Sequence, residues 1–291
     1  MQLLCPQNFT DYELIDCGNF EKLERWGNYI TIRPEPQAVW NKQLSNSEWE
    51  RKAHLIFEAK SSSSGTWRKL KSAPDQWRIN YTANTKNAKP LTFRLGLTSF
   101  KHVGLFPEQA VNWDYITNCI NDINIPNPKF LNLFAYTGAA SIAACAAGAD
   151  VTHVDSIKQV VSWANENMVN SNLTNIRWTV EDALKFARRE VKRGNTYNGI
   201  ILDPPAFGHG ANGEKWILED NITELIDLVL QLLAPKHFLI LNAYSLGFSS
   251  IILENLLKKK AGKNLQTGEL YLQSTSDLKL PLGVWGRFRN F

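Results

Sequence analysis

Short apolar runs that alternate with amphipathic helical patterns from residue 130 onward predict an α/β fold, a Rossmann-like mostly parallel sheet with helices on both faces. Two further observations complete the expectation. The first 95 residues alternate at strand period with little helical periodicity, which makes residues 1–95 a smaller β-rich N-terminal region and leaves 96–291 for the α/β domain. The run Ile201-Leu202-Asp203-Pro204-Pro205-Ala206-Phe207-Gly208 ends an apolar strand in a carboxylate and two prolines. Open α/β sheets take their ligands in the crevice at such carboxyl ends.

In the N-terminal region the clearest strands are 12–15, 29–32 and 91–97, interrupted by Pro34-Glu35-Pro36 and by a serine-rich turn at 61–65. From Pro107 a helix is expected to about Ile123, burying Ala110, Trp113, Ile116 and Ile120. Pro126-Asn127-Pro128 then punctuates the chain. Strands follow at 130–135, 151–155, 176–180, 199–203 and 238–243, with two more at 269–274 and 283–290 closing the sheet. Between them, Ile157, Val160, Val161, Ala164 and Met168, and again Ile222, Leu225, Ile226, Val229 and Leu233, follow the spacing of half-buried helices.

The chain has 291 residues, 44% hydrophobic and 21% charged, the composition of an ordinary soluble globular protein, and no run of about 18 apolar residues that spans a bilayer. Its start, Met1-Gln2-Leu3-Leu4-Cys5-Pro6, lacks a basic, apolar secretory leader, so a cytoplasmic location is expected. Cys5, Cys17, Cys119 and Cys145 have neither zinc-site spacing nor disulfide density and are expected to be free thiols. His54, His153, His209 and His237 are dispersed, so no metal site is expected. A net charge of +4 permits nucleic-acid contact without demonstrating it. Trp26, Trp40, Trp49, Trp67 and Trp77 crowd the first 80 residues as either core or a stacking surface. Two basic features remain: a stripe of Lys185, Arg188, Arg189, Lys192 and Arg193, which suits a solvated helix face, and Trp67-Arg68-Lys69-Leu70-Lys71 with Trp77-Arg78, which mixes aromatic and basic groups.

Asp203 precedes a proline, so its backbone is driven into the extended region, and Pro204 and Pro205 remove two donors while fixing two φ angles. The consequence is a stiff lip. After the first α/β strand comes Phe134-Ala135-Tyr136-Thr137-Gly138, a turn with one glycine, ill suited to wrapping a pyrophosphate. Asp155 stands at the end of the next strand, 17 residues after Gly138, placed for ribose hydroxyls or as a helix N-cap. Asp182 ends the third strand and Asp203 the fourth. Capping alone explains three successive strand-end acids less well than one adenosine-bearing ligand does.

The segments N-L-F-A-Y-T-G-A-A-S, H-V-D-S, E-D-A-L and L-D-P-P-A-F-G, in this order over about two-thirds of the chain, resemble class I S-adenosylmethionine-dependent methyltransferases. They are most similar to the large-subunit rRNA methyltransferases whose fourth motif reads D-P-P-x-F, with Phe207 as the aromatic. Amino-methyltransferases with N-P-P-Y or D-P-P-Y have the aromatic one position earlier, where Ala206 stands. The resemblance implies S-adenosylmethionine as cofactor, with Phe134, Tyr136 and Gly138 near its methionine part, Thr137 in the same turn also binding the cofactor, Asp155 at the ribose, Asp182 at the adenine and Asp203 near the methyl centre. It also implies closure over the cofactor by Gln109, from His102-Val103-Gly104-Leu105-Phe106-Pro107-Glu108-Gln109, where Glu108 replaces the group's aspartate.

Methylating the fifth carbon of cytosine requires a nucleophile that first adds to the ring, a cysteine in the related enzymes. No cysteine follows Cys145, and the fifth strand ends Asn242-Ala243-Tyr244-Ser245. The expected catalytic set is therefore Asp203, Pro204, Pro205 and Phe207, presenting a nitrogen or oxygen nucleophile directly, with Phe207 stacking on a base of RNA or lying under the loop as core. Transfer to a small molecule or protein, and a module that only binds the cofactor, stay open.

Overall fold

The computed structural model describes residues 1–291 except 62, 63, 86, 87, 211, 212 and 246. Ser62 and Ser63 of the serine-rich turn thus lie outside the described residues. The N-terminal part contains β1 (Gln2–Leu4), β2 (Tyr12–Gly18), β3 (Glu21–Trp26), β4 (Tyr29–Pro34), α1 (Asn46–Lys52), β5 (Leu55–Ala59), β6 (Gly65–Lys69), β7 (Gln76–Tyr81) and β8 (Leu91–Gly96). Strands β2 to β6 form one sheet in sequential order, and β7 pairs with β8 in a second.

A 3-10 turn, Pro107–Gln109, leads into α2 (Ala110–Asp122). Then come β9 (Lys129–Leu133), α3 (Ala139–Ala146), β10 (Asp150–Asp155), α4 (Lys158–Asn170), β11 (Ile176–Val180), α5 (Ala183–Arg193) and β12 (Tyr197–Leu202). The remainder is β13 (Phe207–His209), β14 (Lys215–Ile217), α6 (Leu218–Gln231), β15 (Leu233–Ala243), α7 (Ser250–Ala261), β16 (Gln266–Gln273) and β17 (Lys279–Arg289).

The large sheet runs β1-β16-β17-β15-β12-β9-β10-β11, parallel except for β17, which is antiparallel to both neighbours. The order reverses between β9 and β12, and at that switch point strand ends leave a crevice. All seven α/β strands read from the sequence are present. β1 adds an eighth from the very start of the chain, pairing in parallel with β16.

Alternation assigns side chains to two faces. Phe130, Val151, Ile201, Phe238 and Ile240 pack beneath α2 and α3 with Trp113, Ile116, Ile142 and Ala143. Leu131, Leu133, Ile200, Leu202, Leu239 and Leu241 face the other way, onto Leu184, Ile222, Leu225, Leu253 and Leu257 of α5, α6 and α7. At the rate of about 1.5–3 kcal/mol per fully buried large side chain, these two layers fix the strand ends on which the site depends. The first layer continues into the N-terminal region: Tyr81 and Phe93 lie 5.0 and 5.7 Å from the Trp113 ring.

Of the elements that escape the sequence reading, β1, β5, β6, β7, β13 and β14 among them, three others do so for identifiable reasons. β3 carries Lys22, Glu24 and Arg25, so it reads as a polar stretch, yet Lys22 and Glu24 are buried. Their charges are matched by Glu35, at 3.1 Å from Lys22, and Arg33, at 2.7 Å from Glu24. α1 is a short helix set by a capping box between Ser45 and Glu48. α7 fills a segment, 244–268, in which the sequence analysis placed no element.

Candidate functional site

The site begins at the turn after β9. Phe134, Tyr136 and Gly138 have φ of 57°, 48° and 86°, so two bulky residues adopt the left-handed conformation that costs about 1–2 kcal/mol each. Hydrogen bonds offset that strain. The Tyr136 N–H donates to Asp155 Oδ2 at 2.9 Å, the Thr137 hydroxyl to the Gly104 carbonyl at 2.5 Å, and Asn167 Nδ2 to the Thr137 carbonyl at 3.0 Å. Thr137 is thus buried, holding the turn from behind. The Tyr136 ring rests 5.3 Å from Phe106, and burial pushes its phenol up to about 12.

Asp155 ends β10, where its carboxylate accepts from the backbone N–H of both Tyr136 and Ile157. Burial raises its pKa against those two bonds. Asp182 caps α5, its Oδ1 accepting from the Lys185 N–H at 2.8 Å, while Oδ2 takes no hydrogen bond among the described residues. Gln109 is buried, its Oε1 accepting from Asn112 Nδ2 at 2.7 Å.

Asp203 follows β12 and is half-buried. Asn242, at the end of the neighbouring β15, donates Nδ2–H to its Oδ1 at 3.1 Å, while Asn242 Oδ1 is buried without a partner. Burial pushes Asp203 up to about 6, and the Asn242 bond only partly opposes this. Glu108 is also buried and pushed up to about 7, chiefly by desolvation, with the nearby charges of Asp203 and Glu35 adding to it and Lys22 opposing.

The lip continues as a clamp. Pro204 is buried and Pro205 exposed; the Pro205 carbonyl accepts from Trp216 Nε1 at 2.7 Å, and Pro205 forms an isolated bridge to Tyr244. Phe207 is 54% exposed, which removes the alternative of a core aromatic. His209 meets its ring edge-on at 5.0 Å, and Lys215 Nζ lies 6.0 Å above it. Trp216, on β14, packs 4.8 Å from Phe134. No motif in the sequence marked Trp216 or Asn242.

Asp155, Asp182, Phe134, Pro205, His209 and Trp216 line one crevice at the carboxyl edge, about 50 Å³ in volume. The N-terminal region reaches the same edge. Tyr244 donates its hydroxyl to Glu35 Oε1 at 2.7 Å across 209 positions of sequence, and Glu35 is tied in turn to Lys22.

Other sequence candidates fall outside this edge. Arg188, Arg189 and Arg193 of the basic stripe are paired with Glu224, Glu181 and Glu190. Arg68 and Lys69 pair with Glu58 and Asp75, and Trp26, Trp49 and Trp77 are core. His153 is buried on Ser141 at 3.0 Å, its pKa pushed down to about 3 by burial, a structural group in the core. All four cysteines are free. None lines the crevice among the described residues. Among those residues no group of three His, Cys, Asp or Glu side chains is placed to hold a metal ion, and no helix is long and apolar enough to cross a membrane.

Residues 109–264, more than half of the chain, match the family described as Conserved hypothetical protein 95. The crystal structure of the SAM-dependent methyltransferase from Agrobacterium tumefaciens superposes with a TM-score of 0.91 at 37% identity, covering 99% of this chain and 93% of that one. The chain belongs to the SAM-dependent methyltransferases. Among curated relatives of this methyltransferase, the ribosomal RNA large subunit methyltransferase K/L of Pseudoalteromonas translucida is 31% identical over 160 residues, 54% of this chain and 22% of its own. That of Shewanella oneidensis is 26% identical over 267 residues, 87% of this chain and 34% of its own. The methyltransferase thus spans about a third or less of the curated relatives it matches.

The donor set fits S-adenosylmethionine, abbreviated SAM. Asp155 and Asp182 keep acceptor capacity for a diol and an amine, and the aromatic faces of Phe134 and Trp216 suit a purine. Its volume does not yet admit one. Small-molecule pockets usually enclose about 300–1,000 Å³, several times the 50 Å³ of this crevice.

Proposed function

We propose that this methyltransferase transfers the methyl group of S-adenosylmethionine directly to a base of RNA, with ribosomal RNA as the substrate suggested by the relatives' shared name. The observation that carries the reading is Phe207, a large aromatic held in solvent on a stiff lip beside a half-buried carboxylate. In this reading residues 1–95 help choose the substrate and 96–291 form the methyltransferase domain, to which β1 contributes one strand. A cytoplasmic location is supported by the free thiols.

The cofactor, when bound, supplies an electrophilic methyl on a sulfonium. Asp155 accepts from the ribose hydroxyls, Asp182 Oδ2 from the adenine amine, and Gln109 with the Phe134-Ala135-Tyr136-Thr137-Gly138 turn shapes the methionine end. Phe207 stacks on the flipped base, a contact worth about 1–3 kcal/mol. Asp203 and the Pro204 carbonyl accept from a base N–H and aim its nitrogen or oxygen at the methyl, since orientation is the main task in such a displacement. Tyr244 stands near the lip, but burial and the Glu35 charge hold its phenol far above the neutral range, and its hydroxyl is already donated to Glu35. It is no nucleophile. No covalent enzyme–base adduct forms.

Calorimetric titration with S-adenosylhomocysteine tests the cofactor part: the wild-type chain is expected to bind, and Asp155→Ala to bind at least tenfold more weakly, the loss of a charge-assisted contact. Equal affinity removes the ribose assignment; no binding by the wild type removes the reading. A denaturation-stable enzyme–RNA adduct on a fluoropyrimidine RNA would overturn direct transfer.

A further inference from the structure

At the opposite edge of the sheet lies a second groove, larger than the crevice. β16 begins at Gln266, and the antiparallel β17 ends at Arg289 beside it, so both mark the amino-terminal edge of the parallel strands. Strands of about six residues separate this edge from the lip by roughly 20 Å. The groove encloses about 840 Å³ between α2, the turn before β16 and the end of β17.

Arg287 stands at its centre. Its guanidinium lies 4.1 Å from the Tyr115 ring centroid and 4.7 Å from that of Trp285, and its Nε donates to Gln266 Oε1 at 3.2 Å. The group is held by two aromatic rings and one amide. Among the described residues no carboxylate approaches it within ion-pair distance, whereas the neighbouring Arg289 is matched by Asp122 at 2.7 Å. Lys263 lines the groove, and the exposed Lys259 and Lys260 precede it at the end of α7, all three without an ion pair among the described residues. Lysines at a helix C-terminus offset the helix dipole, which accounts for Lys259 and Lys260. That explanation does not reach Arg287, which is half-buried on a strand. A fixed planar guanidinium with free Nη donors matches the paired oxygens of a phosphodiester, and Asn118 and Asn264 in the same groove offer amides to ribose or base.

We propose that this groove binds the phosphodiester backbone of single-stranded RNA through Arg287 and Lys263, as a second anchor on the edge opposite the lip. The inference rests on RNA being the substrate, as read above, and adds where the remainder of that RNA is held. Two contacts on opposite edges make RNA bound at the lip a bivalent ligand, so long RNA gains affinity that a short fragment does not.

The test measures binding of a fluorescein-labelled oligouridylate by anisotropy over a salt series, for the wild type, Arg287→Gln, Arg287→Lys and Lys263→Gln. Arg287→Gln is expected to weaken binding roughly tenfold and to make the log–log salt slope shallower by about 0.7, one phosphate contact on a single strand. Lys263→Gln, an exposed change that spares the fold, is expected to make the slope shallower by a similar amount. Arg287→Lys keeps the charge and loses the paired geometry, so the slope stays and affinity falls. Unchanged affinity and slope in both glutamine variants overturn the proposal, as does binding of polyglutamate as tight as that of RNA. Affinity for S-adenosylhomocysteine, unchanged in Arg287→Gln, shows that the fold survives. Oligouridylate binding through Arg287 without methylation of any RNA refutes the substrate reading alone; RNA methylation with Arg287→Gln binding like wild type refutes the groove alone.

Discussion

Asp203 sits where its charge is costly: half-buried at the end of β12, with Asn242 as its one hydrogen-bond donor among the described residues and a pKa raised to about 6 by desolvation. An unfolded aspartate titrates near 3.9, so the folded state holds the proton more tightly. Its contribution to stability is therefore neutral below about pH 4, grows unfavourable between about pH 4 and 6, and is constant above. Asp203→Asn is therefore expected to match the wild type in urea denaturation near pH 4 and to exceed it by about 2–3 kcal/mol at pH 8, while losing methyl transfer. Equal stability at both pH values contradicts a desolvated carboxylate. The same titration makes the wild-type transfer rate rise with its midpoint near pH 6 and level about one unit above it. Phe207 is the converse case, a side chain that the fold hardly needs. Because it is 54% exposed, Phe207→Ala is expected to leave the melting temperature nearly unchanged and to lower kcat/KM on RNA roughly tenfold, the value of one stacked base. A large drop in stability would make it a packing residue.

At the scale of elements, the parallel strands were legible because strands buried on both faces read as short apolar runs: Phe130-Leu131 and Phe238-Leu239-Ile240-Leu241 carry the signal with no help from context. β3 was not, because its buried Lys22 and Glu24 have partners on and just after β4, and a single sequence does not reveal pairing. α1 carries a sequence signal, the Ser45-x-x-Glu48 capping box. Trp216 had none, since it reaches the crevice only when β14 folds back on β13. The cofactor turn depends on an element far from it: Gly104 has φ +110°, its carbonyl takes the Thr137 hydroxyl, and a Cβ there would lie 2.3 Å from the Trp163 ring. Gly104→Ala is thus expected to cost about 2–4 kcal/mol in urea denaturation and to weaken S-adenosylhomocysteine binding by calorimetry. Wild-type stability in that variant would show that the loop before α2 can relax without disturbing the turn.

Over the whole molecule, the N-terminal region and the methyltransferase sheet share one side-chain layer through Tyr81, Phe93 and Trp113, and meet again where Glu35 receives the Tyr244 hydroxyl beside the lip. Neither contact was legible, because both join residues distant in sequence. The strand-end acids Asp155, Asp182 and Asp203 were legible as a set because parallel strands deliver every carboxyl end to one edge. The basic helix stripe is legible as a solvated face, and Arg188, Arg189 and Arg193 in it, like Arg68 and Lys69 in the aromatic stretch, are matched by carboxylates, whereas Arg287, without an ion pair among the described residues, lies in a strand whose sequence carries no sign of a groove. Transfer of labelled methyl from S-adenosylmethionine to RNA from cells lacking the gene, followed by digestion to nucleosides, tests the central claim most directly. Label is expected on the base of one nucleoside with the wild-type chain and is expected to be absent with Asp203→Ala; label on protein or small molecules alone, or none at all, contradicts it.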